Sequence, residues 1–416
     1  MKRISWIQRS LIVLFTLLLS GFSWASTPDI HWIKISATDK VQRTAIANTG
    51  ITIEYVGEDH VTGIAKSAEL EQLKSRFNVE VNFPMTVEMM DYPSDDSKFH
   101  NYDELTTALT TLANENPDIV RMKSIGQSHE GRDILVVRIG EESSDQSALP
   151  GVIFMGGHHA REHISVEMPL MLAQYLVREY RAGNDRIVNF VRHRDIHIIP
   201  IVNPDGAEHD ISGGRYKMWR KNRKNNGDGS FGVDLNRNYG YEWGTGGSST
   251  NKSSDTYMGE EPFSEPESRA IRDYVSEHDN ITILLSYHTF SELILYPWGH
   301  SYDPIGDNSA YRVHDTMARR MAQWNRYTPQ QSSDLYIASG DTTDWSFGRH
   351  GIISFTFELD PKNFWQGGFY PGEDKIDVVF NKNIEPALYL IENSENPYGV
   401  LQPTHMKFGL QSPLIQ

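Results

Sequence analysis

The chain contains no cysteine. That excludes disulfides, thiolate metal ligands, a cysteine nucleophile and a lipidated amino-terminal cysteine. Packing and bound ligands alone must stabilise the fold, and any metal must be held by His, Asp or Glu. Positive charge is also scarce, with 39 Lys and Arg against 55 Asp and Glu, a formal charge of -16. A nucleic-acid partner needs a basic face to neutralise phosphates, so none is expected. Long apolar runs are missing too: Leu11 to Leu19, broken by Thr16, is well short of the ~20 residues that span a bilayer.

That short run has another meaning. Lys2, Arg3 and Arg9 form a positive start, and Ser23-Trp24-Ala25 places small residues at both recognition positions of a cleavage site. Residues 1–25 therefore read as a secretory signal peptide cut after Ala25. The mature chain is expected to be secreted or periplasmic, with no membrane anchor. The full sequence of 416 residues suffices for a large domain and a smaller one.

The smaller unit spans residues 26–95. Ile51 to Tyr55 alternates like a half-buried strand, Ser67 is placed to cap a helix carrying Leu70, Leu73 and Phe77 on one face, and Val79 to Phe83 alternates again. A polar linker, Tyr92 to Ser97, closes this small α/β module. From residue 96 to 396 helical and strand patterns alternate. Tyr102 to Asn114 and Val166 to Tyr180 read as helices; Ile134 to Ile139, Val152 to Met155, Asp195 to Val202, Ile281 to Leu285 and Ile352 to Phe357 read as buried strands. The expected fold is α/β, with a mixed, mostly parallel central sheet flanked by helices on both faces. Residues 397–416 form a tail without readable periodicity.

One constellation can carry metal chemistry. After the strand Val152 to Met155 comes Gly156-Gly-His-His-Ala-Arg-Glu-His163, in which His159 and Glu162 are spaced H-x-x-E. A catalytic zinc takes three protein ligands, and His288, which ends the strand begun by Ile281 to Leu285, is the obvious third. Both halves sit at carboxyl ends of strands, where open α/β sheets build their sites. Spacing alone leaves His158 and His163 as rival ligands. Glu358 lies inside an otherwise apolar strand, Phe355-Thr-Phe-Glu-Leu359, where desolvation would raise its pKa and suit a base. Gly227 to Gly232 is formally G-x-G-x-x-G, but it follows a charged loop and not a strand, so it is no dinucleotide site.

The ordered strings His158-His-Ala-Arg-Glu-His163, Asn203-Pro-Asp-Gly206, Met218 to Arg223, Gly232 to Asn238, Ser286-Tyr-His288, Leu335 to Gly340, Thr343-Asp-Trp345 and Phe355 to Leu359 resemble the funnelin-type zinc metallocarboxypeptidases. The likeness is to bacterial carboxypeptidase T and, more broadly, to carboxypeptidases A and B, and it runs over roughly residues 98 to 396.

The resemblance implies one zinc ion on His159, Glu162 and His288, with Glu358 as the catalytic carboxylate. It implies that Arg220 polarises the scissile carbonyl and that Asn236 with Arg237 binds the free α-carboxylate. Tyr336 would close over that end, and Arg161 would line an outer subsite. The residue before the Asp-Trp pair, Thr343, and the acid two positions earlier, Asp341, would set the primary pocket. An acid on the wall of an otherwise apolar pocket predicts mixed preference for apolar and basic C-terminal residues. Phe290 stands where many relatives carry tyrosine. The stretch Glu141 to Gln146 keeps fewer acids than the calcium loop of carboxypeptidase T, so structural calcium is not expected. A monomer acting on peptide or protein C-termini is expected. The resemblance implies that residues 26–95 are a pro-segment covering the funnel until removed, with a permanent accessory domain as the alternative. The rivals are a cell-wall peptide zinc amidase, which Asn236, Arg237 and Tyr336 argue against, and a non-catalytic peptide-binding relative, which the full set of ligands and base argues against.

Overall fold

The computed structural model describes residues 30–84, 96–141, 148–212 and 216–402. The signal peptide and its cleavage site, most of the linker before Asp96, most of the Glu141 to Gln146 stretch and the tail beyond Gln402 lie outside the described residues.

The amino-terminal module runs β1 (Ile30–Ser36), α1 (Lys40–Ala47), β2 (Thr52–Val56), β3 (His60–Lys66), α2 (Ser67–Lys74) and β4 (Val79–Pro84). Its strands form an antiparallel sheet in the order β2-β3-β1-β4. Side chains alternate across a strand, so Ile33, Ile35, Val61 and Ala65 bury with Ile46, Leu70 and Leu73 of the two helices. Trp32 and Ile64 point the other way, into a cluster with Tyr216, Met218, Phe290 and Phe369 of the larger unit. Ser67, expected as the cap of α2, is its first helical residue. Lys66 occupies the cap, and its backbone N–H donates to the Glu69 carboxylate at 2.8 Å.

The larger unit runs α3 (Tyr102–Glu115), β5 (Val120–Gln127), β6 (Asp133–Ile139), β7 (Gly151–Met155), α4 (Ile164–Arg181), α5 (Asp185–His193), β8 (Asp195–Ile199) and α6 (Pro204–Ile211). It continues with α7 (Pro266–Ser276), β9 (Ile281–Thr289), β10 (Leu293–Tyr296), α8 (Asn308–Asn325), β11 (Thr328–Gln331), α9 (Thr342–His350), β12 (Ile353–Leu359) and α10 (Ile376–Asn393). Eight strands form one sheet, β11-β10-β12-β9-β7-β8-β6-β5. The centre, β12-β9-β7-β8, is parallel, and antiparallel pairs flank it. The expected fold class is therefore the observed one.

Two apolar cores sandwich this sheet. Ile283, Leu285 and Tyr287 of β9 and Phe355, Phe357 and Leu359 of β12 bury with α4, α5, α8 and α10. Leu284 belongs to the second core, with Ile271 and Tyr274 of α7 and Trp345 of α9. Strands buried on both faces read as continuous apolar runs, which is why they were legible in the sequence. His288 and Glu358 lie near the carboxyl ends of β9 and β12, in the strands where they were expected. By alternation, Ser286, His288 and Glu358 share the face of Leu284.

Candidate active site

The site grows from the end of β7. Gly156 packs so closely that a Cβ would lie 2.0 Å from the Ser165 carbonyl oxygen, and Gly157 has φ +63°. Only glycine suits both positions, and the turn they make aims the next residues back over the sheet. His159, Glu162 and His288 converge there, all buried. His159 Nδ1 lies 2.7 Å from Glu162 Oε1, His288 Nδ1 lies 3.0 Å from Glu162 Oε2, and the two imidazole nitrogens are 3.1 Å apart. Two imidazoles and a carboxylate meeting at one point are the donor set of a catalytic zinc. Although burial opposes its charge, His159 and His288 hold the Glu162 carboxyl below the ordinary range.

The rival histidines point elsewhere. His163 Nε2 meets Asp210 Oδ2 at 2.9 Å, and His158 stacks behind His288 with ring centroids 5.4 Å apart. A second group, His129, Glu265 and Glu267, also gathers potential ligand atoms. There the carboxylates already accept from Asn222 Nδ2, at 2.9 and 3.0 Å, and from Lys224 Nζ at 3.1 Å. That group is a satisfied cluster of two buried carboxylates and an exposed histidine, whose Nε2 lies 2.7 Å from Glu265 Oε2.

One important residue escaped the sequence reading. Asp234 is fully buried, with Oδ1 3.2 Å from His159 Nε2 and Oδ2 3.0 Å from both Nε and Nη2 of Arg220. Burial pushes its carboxyl up, but Arg220 and His159 outweigh this and hold it well below the ordinary range. A single carboxylate thus faces a metal-site histidine and holds the neighbouring arginine by hydrogen bonding. Its position in Val233-Asp-Leu-Asn-Arg237 was the available signal.

Glu358 faces the same cavity as His159, Glu162, Arg220, Arg237 and Tyr336. Desolvation, and after it the charge of Glu162, pushes the Glu358 carboxyl well above its ordinary value, while Arg220 and Arg237 pull it back. Asn236 and Arg237 sit on a short helical turn, Leu235–Arg237, whose cap Asp234 accepts the Asn236 N–H at 3.0 Å. A contiguous cavity joins Asn236, Arg237, Tyr336 and Glu358 to Asp341 and Thr343. Asp341 caps α9, with Oδ1 accepting from Thr343 Oγ1 and the Asp344 N–H, each at 2.8 Å. Burial and the charge of Asp344 push its carboxyl up to about 7.

Arg161 is buried and already engaged. Its Nη2 donates to Glu54 Oε1 on β2 at 2.6 Å, its Nη1 donates to the Met218 carbonyl at 3.3 Å, and its guanidinium lies 4.3 Å from the Phe369 ring centroid. Tyr336 donates its hydroxyl to the Ile53 carbonyl at 3.4 Å. His159, Glu162, Arg220, Asn236, Arg237, Tyr336 and Glu358 thus line one cavity, and Asp341 and Thr343 line an adjoining one. Arg161 and His288 line neither, and Ile53 to Val56 of the amino-terminal module form part of the first cavity's wall.

A sheet carrying this His-Glu-His cluster, with a carboxylate and arginines beside it, defines a zinc-dependent peptide hydrolase. The chain belongs to the zinc carboxypeptidase family, whose model matches residues 105–386. It is 36% identical over 386 residues to a zinc carboxypeptidase of Saccharothrix mutabilis subsp. capreolus, covering 87% of this chain and 88% of that one. It is 32% identical over 292 residues to carboxypeptidase B of Astacus astacus, covering 67% and 91%. In fold it is similar to the crystal structure of carboxypeptidase A from Helicoverpa armigera, with a TM-score of 0.75, 24% identity and coverage of 91% and 100%. Zinc is the cofactor, and the family acts on peptide C-termini. No helix among the described residues is long and apolar enough to cross a membrane.

Proposed function

We propose that this enzyme is an exported carboxypeptidase that removes apolar and basic residues from peptide C-termini. His159, Glu162 and His288 hold the ion. Zinc bound there supplies a Lewis acid that polarises the scissile carbonyl and makes water more acidic. Glu358 accepts the proton of the attacking water and delivers it to the leaving amine. Arg220, fixed by Asp234, steadies the negative charge that develops on the carbonyl oxygen. Arg237 presents a planar fork to the terminal carboxylate beside Asn236, Tyr336 covers that end, and Arg161 serves an outer subsite. Asp341 and Thr343 receive the terminal side chain, the acid favouring Lys and Arg.

The observation that carries this reading is a pair of adjoining cavities that share Asn236, Arg237, Tyr336 and Glu358, one reaching His159 and Glu162 and the other Asp341 and Thr343. The test is hydrolysis of peptides with free and amidated C-termini, before and after chelation and with zinc restored. Free ends alone should be trimmed, and only by the metal-loaded protein. Undiminished activity in verified metal-free protein would refute the mechanism.

Residues 26–95 are read as an inhibitory pro-segment. Glu54 on Arg161 and the Ile53 carbonyl on Tyr336 support that role, since both partners are assigned to substrate. Mass spectrometry and activity of the exported protein test it: a fully active chain retaining the module contradicts inhibition.

A further inference from the structure

His158, no part of the metal cluster, lies at the centre of a buried hydrogen-bond path. His288 Nε2 is 3.1 Å from Ser286 Oγ, and Ser286 Oγ is 3.3 Å from His158 Nδ1. On the other side of the ring, His158 Nε2 is 3.1 Å from Thr342 Oγ1 and 2.9 Å from the Tyr239 hydroxyl. Thr342 donates both its hydroxyl and its backbone N–H to Asn236 Oδ1, each at 2.9 Å. His158, Ser286, Thr342 and His288 are at most 1% exposed. Water therefore does not compete for these bonds.

The protons along this path have one consistent arrangement. His288 turns Nδ1 toward Glu162 and the metal site, so its ring proton belongs on Nε2 and is donated to Ser286 Oγ. Ser286 then has its own hydroxyl proton for His158 Nδ1. This leaves the His158 proton on Nε2, facing the oxygens of Thr342 and Tyr239. The Thr342 hydroxyl proton goes to Asn236 Oδ1. That atom accepts a backbone N–H as well, so the amide oxygen is locked inward. The two amide donors of Asn236 are left for the cavity it lines with Arg237.

We infer that His158 is a positioning residue tying His288 to Asn236, so that one polarised chain orients both the metal site and the carboxylate anchor. The inference rests on the proposed roles of His288 and Asn236. The coupling is reciprocal: what loosens the Asn236 end also loosens the metal end.

The test measures zinc affinity of the full chain by competition with a chelator. Ser286→Ala should weaken zinc binding by about 10-fold or more, the usual effect of losing a ligand's hydrogen-bond partner. Thr342→Val should weaken it several-fold, although Thr342 touches no ligand. Thr342→Ser, which keeps the hydroxyl, should bind as the unaltered protein does. The Ser286→Ala/Thr342→Val double variant should bind little worse than Ser286→Ala alone, because the path is already cut. Normal affinity in Thr342→Val, or losses that multiply in the double variant, would overturn the inference. Imidazole nitrogen NMR of the unaltered zinc-loaded chain tests it without any variant: a His158 proton on Nε2 supports it, and one on Nδ1 overturns it. The ligand assignment is checked separately, since His288→Ala with unchanged zinc affinity would sink that reading and this inference with it.

Discussion

Glu358 on β12 and His288 on β9 lie directly across from each other in parallel register. Paired residues of a pleated sheet present their side chains to the same face. The proposed base and a proposed metal ligand are therefore placed by hydrogen-bonded backbone at the centre of the sheet. A site set on such elements holds its geometry better than one carried by loops.

Replacing Glu358 with Gln keeps the shape and removes the base. We expect kcat to fall by about 10²- to 10⁴-fold, the usual contribution of a positioned general base, with zinc content unchanged. Steady-state kinetics with metal analysis decides this. A variant with normal kcat would assign the proton transfer to another group.

Asp234→Asn removes the charge that faces both His159 and Arg220. Zinc affinity should drop by about 10- to 100-fold, and kcat should fall further as Arg220 loses its fixed orientation. Zinc titration and kinetics at saturating zinc separate the two effects. If saturating zinc restores full kcat, Asp234 serves the metal site alone.

Glu54→Gln leaves the buried Arg161 with a weaker partner from the module, while Asp255 stays 3.5 Å away. Breaking a buried pair costs about 3 to 5 kcal/mol, and the remaining acid softens that. Activity of the full chain on a small peptide should rise about 10-fold or more. Unchanged activity would mean that this contact does not help to close the site.

The pocket acid predicts a pH-dependent specificity. Asp341 is held at about 7, so it is neutral below that pH and ionised above it. The ratio of kcat/KM for peptides ending in Lys to those ending in Leu should climb as pH rises through 7, and Asp341→Asn should flatten the profile. Stability follows the opposite sign. The folded value lies above the unfolded one near 3.8, so stability present below that value is lost as pH rises through 7. Thermal unfolding at pH 5 and pH 8 should therefore show Asp341→Asn gaining relative stability at the higher pH.

The sequence by itself determined the fold class, because strands buried on both faces must be apolar throughout and helices between them must carry a stripe. It also determined the chemistry available. Without cysteine the ligands had to be His, Asp or Glu, and the ordered motifs pointed to a family whose model matches the chain. Spacing could not separate His158, His159 and His163. Which ring turns inward depends on the turn at Gly156 and Gly157 and on partners 47 to 128 residues away, such as Asp210 for His163 and Ser286 for His158. Nor could local pattern show that Trp32 and Glu54 dock on the larger unit, since strand alternation says only that they face away from their own module's core. Residue types and their periods are local properties. The direction of a side chain, and what it meets there, is fixed by long-range packing, and only the tertiary structure decided it.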